Sequence, residues 1–425
     1  MAESTNLTAQ FAPALDFERA GYATGPVTSD AFSTVDAEWH DSEPGTVFRV
    51  EPMNTSEYTL PPGVAGVRIL YQSENFNGSK TPTSGAILFP YTPLKSKDGA
   101  NTVVVWAHGT SGLYANAAPS HLRNLWQHHI GPFPLALNGY IVVMPDYAGL
   151  GVSIDGQGKP IVHEYLANPA AAKDLEYGFK AARAAFPELG ASFVVMGHSQ
   201  GGGVVWSFAE RMHTHPVAGY LGSIPISPVT NILSEPMPMR AILTAGALWG
   251  MQNIFPDFDM NTILTEVGKE RMQADKAIGG NIGITKNLYF GADLFVPDWE
   301  DNEYVQRFNA LVHGGGRPIA GPMLLIQGEN DPLISFPVVR AAAEETVKVA
   351  PHASIEYHQY PNISHVPANW VSQRLWLDWI RDRFEGKKTE HGLKVNVMKP
   401  LRPADTYPPE MNWYVGYATE YYHTP

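Results

Sequence analysis

At 425 residues the chain is close to three times the length of an ordinary single domain, about 150 residues, and its 44% apolar and 11% aromatic content can fill a large core. That composition excludes a chronically disordered chain, and a net charge of −13 (29 basic against 42 acidic residues, with no basic run) makes nucleic acid and anionic membranes poor partners. Cysteine is absent, so disulfides, thiolate metal sites and thiol nucleophiles are excluded together.

Residues 1–62 read as an irregular lead-in with scattered Pro and Gly. The start carries Glu3, Asp16 and Glu18 and lacks the basic start and apolar core of a signal peptide. Two uncharged runs, 124–145 and 191–209, are interrupted by Gly and His together with Pro or Gln, so no membrane-spanning helix is expected. Thr102–Trp106 and Tyr140–Met144 are β-branched and apolar enough for buried strands. Asn168–Ala185 sets Leu175, Phe179 and Ala182 on one helical face; Phe193–Met196 is strand again and Gly201–Met212 helix. Between 229 and 316 the rhythm breaks into a Met-, Pro- and aromatic-rich stretch, including Met237, Met239, Trp249, Met251 and Phe255, that predicts a helical cap over the C-terminal edge of the sheet. Met323–Gln327 and Ile355–Tyr360 then predict strands, and Pro337–Val349 and Val366–Phe384 helices. Strand–helix alternation over 63–228 and 317–390 implies an α/β fold with a mostly parallel central sheet flanked by helices. Residues 391–425, ending WYVGYATEYYHTP, form an aromatic tail expected to lie against the body.

Gly197-His198-Ser199-Gln200-Gly201 is a G-x-S-x-G pentapeptide between a predicted strand and a predicted helix. That setting is what a nucleophile elbow requires: a tight turn exposes the serine, side chains at 197 and 201 would collide with neighbouring backbone, and the helix N-terminus faces the reacting oxygen. A serine hydroxyl needs a base, and the base an orienting acid, in the chain order Ser, Asp/Glu, His. Asp331 follows the strand Met323–Gln327 and is turned inward by Pro332, Leu333 and Ile334; Glu329 is its rival. Of His352, His358 and His365, only His365 falls in the loop between the last strand and the last helix.

The strand Thr102–Trp106 runs into His108-Gly109-Thr110-Ser111-Gly112, whose backbone N–H groups, with that of Gln200, are candidates for an oxyanion hole. His313-Gly314-Gly315-Gly316 has the form of an oxyanion loop but follows the nucleophile and no strand. His128-His129 and His213-x-His215 lack a carboxylate at ligand spacing, so no metal is expected, and the absence of G-x-G-x-x-G and of a P-loop predicts no nucleotide cofactor. Tyr147 and the cap residues Trp249 and Met251 are expected to line the substrate pocket, the alternative for the cap residues being a small helical core.

Trp106-Ala-His-Gly-Thr-Ser-Gly112, Ala118-Pro-Ser120, Pro145-Asp-Tyr-Ala-Gly-Leu-Gly151 and Gly197-His-Ser-Gln-Gly-Gly202, in that order, resemble the secretory lipase family of fungal lipases and bacterial esterases over roughly residues 60–385. The resemblance implies an α/β-hydrolase fold with a helical cap inserted before the triad acid. It also implies a catalytic Ser199–Asp331–His365 triad, with Thr110, Gln200 and Gly109 at the oxyanion hole. The expected substrate is a small or medium hydrophobic ester, from a lipid or a secondary metabolite, cleaved through an acyl-enzyme without a cofactor. Acyl transfer, amide hydrolysis and ligand binding without catalysis are the alternatives. Where family members often carry a disulfide Cys, this chain has Ala117, which shifts the expected location towards the cytoplasm; secretion stays open for a chain whose signal has been removed.

Overall fold

A computed structural model of the chain describes residues 7–408. Ten strands form one sheet: β1 Val47–Pro52, β2 Val64–Glu74, β3 Lys80–Pro90, β4 Asn101–Ala107, β5 Ile141–Pro145, β6 Leu189–His198, β7 Tyr220–Ile226, β8 Pro322–Gly328, β9 Ser354–Tyr360 and β10 Gly392–Val397. Their order is β1-β2-β3-β5-β4-β6-β7-β8-β9-β10. The first three pairings, β1–β2, β2–β3 and β3–β5, are antiparallel, and every pairing from β5 to β10 is parallel.

The parallel part is buried on both sides because its side chains alternate between two apolar layers. Val103, Val105, Val143 and Val195 face Leu175, Phe179, Val204 and Phe208 of helices Asn168–Ala185 and Gln200–Thr214. Val104, Trp106, Val142 and Met196 face Trp376, Trp379 and Ile380 of helix Gln373–Phe384. Between β7 and β8 stand four helices, Met239–Ile254, Glu266–Ile278, Ile282–Tyr289 and Glu303–Val312, with an apolar interior of their own that includes Leu248, Met251, Phe258, Ile284 and Phe308. The first lies close to the body because it carries Gly246: a Cβ there would stand 2.8 Å from the Tyr165 ring.

The sheet extends past the boundaries read from sequence. β1 lies inside the stretch expected as an irregular lead-in, and β10 lies within the expected tail. The aromatic end of that tail, 413–425, falls outside the described residues. No helix among the described residues is long and apolar enough to cross a membrane.

The lead-in is tied to the sheet by charge. Arg68 on β2 donates to Asp30 and, at 2.6 Å, to Glu51 on β1, and its guanidinium stacks 4.1 Å from the Phe32 ring. Burial opposes ionisation of Asp30, but the Arg68 guanidinium and the Thr24 hydroxyl outweigh it and hold its carboxyl below the usual range. A buried charge that loses its partner is costly. Replacing Arg68 by Met is therefore expected to lower unfolding stability by about 3 kcal/mol, measured by urea denaturation. An unchanged midpoint would show that this pair does not anchor the lead-in.

Candidate active site

The site is assembled at the C-terminal ends of neighbouring strands. β6 ends at His198, and the chain enters helix Gln200–Thr214 through Ser199, whose φ of 58° and ψ of −118° are strained for a residue with a side chain. The turn is possible because β4 lies alongside: a Cβ on Gly201 would stand 2.0 Å from the Ala107 carbonyl oxygen, so only glycine fits. The first turn of the helix leaves backbone N–H groups without intrahelical partners, directed at the space beside Ser199.

Asp331 lies in the loop after β8, where its Oδ1 accepts hydrogen bonds from the Leu333 and Ile334 N–H groups, both at 2.9 Å. Its Oδ2 accepts from Gln327 Nε2 at 3.0 Å and from His365 Nδ1 at 2.7 Å. Burial opposes its charge, but the His365 imidazole and the two loop N–H groups outweigh that cost and hold its carboxyl below the usual carboxylate range. Donation from Nδ1 leaves Nε2 of a neutral His365 as the acceptor. Asp331 rather than Glu329 makes this bond; His358 lies on β9 against Met398, and His352 accepts a bond from His391 through its carbonyl.

His198, the second residue of the pentapeptide, has a part that the motif did not reveal. Its Nε2 donates to the main-chain carbonyl of His365 at 3.2 Å, so the residue beside the serine also fixes the loop that bears the imidazole. Burial pushes His198 down to about 3, which keeps it neutral.

Ser199, His365, Gly109 and Thr110 line one cavity of about 320 Å³, together with Met239, Ile242, Leu243, Ile282 and Phe290 from the inserted helices. Thr110 Oγ1 lies 3.0 Å from the Tyr165 hydroxyl, and Gln200 is buried with Nε2 3.4 Å from His163 Nε2. Three sequence-predicted pocket residues are elsewhere. Tyr147 is buried beneath the site, stacked on His108 at 4.2 Å and donating to the His108 carbonyl at 2.9 Å. Met251 is fully buried in the interior of the inserted helices, and the Trp249 ring lies under Lys276 Nζ at 4.1 Å. Helix Met239–Ile254 is apolar nearly all round, so its periodicity does not tell which face meets the serine. Of the remaining histidines, His128 is buried against His129 and Phe133, and His313 pairs with Glu345 at 3.2 Å.

Comparison with known proteins bears on this arrangement. A family model described as the alpha/beta hydrolase family matches residues 104–372. The chain belongs to that family. It is 26% identical over 307 residues to a monoglyceride lipase of Saccharomyces cerevisiae, covering 69% of this chain and 85% of that protein. It is 23% identical over 394 residues to a secreted triacylglycerol lipase of Malassezia globosa, covering 84% and 81%. The fold of this α/β hydrolase is similar to that of Candida antarctica lipase A in its closed state, with a TM-score of 0.69 and 13% identity over 86% of this chain and 88% of the other.

Behind the acid loop of this hydrolase lies a second carboxyl. Glu235 is fully buried, accepts a hydrogen bond from the Ser335 N–H at 2.8 Å, and stands near Asp331. Burial pushes it from 4.5 up to about 8, and pushes Asp174, beneath the sheet, up to about 7. At these two carboxyls the folded chain keeps protons that the unfolded chain releases, so their contribution to stability falls as pH rises through that window. The melting temperature of Glu235→Gln relative to that of the wild-type chain is expected to rise from about pH 4.5 to pH 8. Equal slopes for the two proteins would unlink Glu235 from folding.

Proposed function

We propose that this chain is a serine carboxylic-ester hydrolase working through Ser199, His365 and Asp331. The observation that carries the reading is the buried 2.7 Å bond from His365 to an ionised Asp331, facing the same cavity as a serine on a strained elbow. His365 Nε2 takes the Ser199 hydroxyl proton as Oγ attacks the ester carbonyl. The oxyanion that develops is met by backbone N–H groups of Gln200 and of the Gly109–Thr110 segment, which lie ready before the reaction. Collapse of the tetrahedral intermediate breaks the bond to the alcohol oxygen, which receives the proton from His365. Asp331 stays ionised throughout and stabilises the imidazolium. Water, deprotonated by the same imidazole, then attacks the acyl carbonyl, and as the bond to Ser199 Oγ breaks that oxygen takes the proton back from His365 and the acid departs. No step calls on a cofactor.

Residues 229–316 act as the cap, and the acyl chain rests against Met239, Ile242, Leu243 and Phe290. That lining supports a hydrophobic acyl group of small or medium size, since apolar walls with few polar groups fix such ligands. The relatives named as monoglyceride and triacylglycerol lipases support acylglycerols as the first esters to test.

Replacing Ser199 by Ala is expected to reduce kcat on p-nitrophenyl butyrate by at least about a thousandfold, and Asp331→Asn by about three to four orders of magnitude. A fluorophosphonate adduct located by mass spectrometry is expected on Ser199 alone. Appreciable turnover by the Ser199→Ala protein would sink the reading.

A further inference from the structure

Leu125, Trp126 and Gln127 take φ values of 55°, 47° and 47° in succession. Bulky side chains rarely adopt this left-handed backbone, and three in a row persist only where the surroundings over-determine them. The turn is pinned accordingly. The Leu125 N–H donates to the Leu122 carbonyl at 3.1 Å, the Trp126 N–H to Asn124 Oδ1 at 3.2 Å, and the Ile130 N–H to the Gln127 carbonyl at 3.1 Å.

What this backbone holds is a wall of the reaction cavity, which Trp126 and Gln127 line together with Ser199 and His365. Gln127 Oε1 is buried and accepts no hydrogen bond from the protein; it lies 3.5 Å from where a Cβ on Gly109 would stand. Buried carboxamide oxygens nearly always find a donor. Among the carboxamide oxygens of this chain without a protein donor, that of Gln127 belongs to a residue lining the cavity, on a backbone held there against its conformational preference, and this points to a donor brought by the substrate.

The position of the turn indicates which part of the substrate it meets. A Cβ on Gly109 would stand between Gln127 Oε1, at 3.5 Å, and His198 Nδ1, at 3.3 Å, and the His198 ring lies 4.5 Å from that of His365. The turn therefore stands on the His365 flank. In ester cleavage the leaving oxygen must face the group that protonates it, so this flank meets the alcohol portion. The inserted helices supply Met239, Ile242 and Leu243, an apolar surface suited to the acyl chain.

Building on the ester-hydrolase reading, we propose that Gln127 is a specificity-determining residue whose carboxamide bonds a free hydroxyl on the alcohol portion, making monoesters of polyhydric alcohols the preferred substrates. A carboxamide offers both a donor and an acceptor. A plain alkyl alcohol leaves its oxygen unpaired, and a site shaped for a hydroxyl discriminates against the analogue without one.

The test compares kcat/KM for glycerol monobutyrate and propyl butyrate, which share an acyl group and a three-carbon alcohol, in the wild-type protein and in Gln127→Met. Fluorophosphonate titration counts competent sites, so misfolded protein does not enter the ratio. The wild-type chain is expected to favour the glycerol ester by about tenfold or more, and Gln127→Met to bring the ratio towards one. A wild-type ratio near one, or a ratio unchanged in the variant, overturns the proposal; the wild-type arm stands even if the variant does not fold. Turnover of propyl butyrate without discrimination removes this proposal alone. Absence of both turnover and a Ser199 adduct removes the ester-hydrolase reading with it.

Discussion

Parallel pairing of β4 with β6 is the constraint from which the site follows. The register sets Ala107 against Gly197 and Trp106 against Met196, so two chain segments far apart in sequence leave the sheet side by side. One continues into Gly109 and Thr110, the other into Ser199. Their closeness forbids a side chain at 201 and bends the backbone at the serine. The energy that tolerates this strain comes from the valines of the same strands, which are buried on both faces of the sheet. Chemistry and core are here one arrangement, and loosening the strand pair would loosen the turn.

The electrostatics around the serine show a division of labour. His108, His163 and His198 are all buried, and burial drives each down, to about 4, 4 and 3, so they serve as neutral hydrogen-bonding spacers. Asp331 alone in this neighbourhood is a buried acid whose partners overcome the cost of burying its charge. Asp146, with Ser84, Ser120 and the Ser120 N–H around it, is instead pushed up to about 6 because burial dominates. The carboxyls of two buried aspartates are thus displaced in opposite directions, according to whether a histidine stands opposite.

Much of this was legible in the sequence wherever local pattern and tertiary role coincide. Val103–Trp106 is a central strand by composition alone, and Leu175 and Phe179 mark the face of a helix that does pack inward. The glycines around Ser199 announce their turn, and Asp331 and His365 fall in loops at the expected places in chain order. β2 and β3 are not among the strands predicted from sequence, because buried polar residues interrupt their apolar pattern. Ser73 and Thr83 are satisfied by Asp174, and Ser84 by Asp146, partners at least 62 positions away that no local window contains. Tyr147, expected in the pocket, is instead buried with its hydroxyl on the His108 carbonyl, a partner 39 positions away. The turn at Leu125–Gln127 was silent because it holds no glycine to advertise a left-handed backbone.

The way the inserted helices join the sheet has an evolutionary corollary. The chain enters and leaves this segment at adjacent points: the Gly314 N–H donates to the Thr230 carbonyl at 2.8 Å, and Arg317 bonds Glu210 of the elbow helix at 2.9 Å. With both stems clasped at the base, the excursion between them can grow, shrink or be exchanged at an entropic penalty that rises only logarithmically with its length. On the proposed reading, bond cleavage and selection of the acyl group therefore reside on separable stretches of polypeptide. A lineage carrying this architecture can reinvent its diet by rewriting one of them.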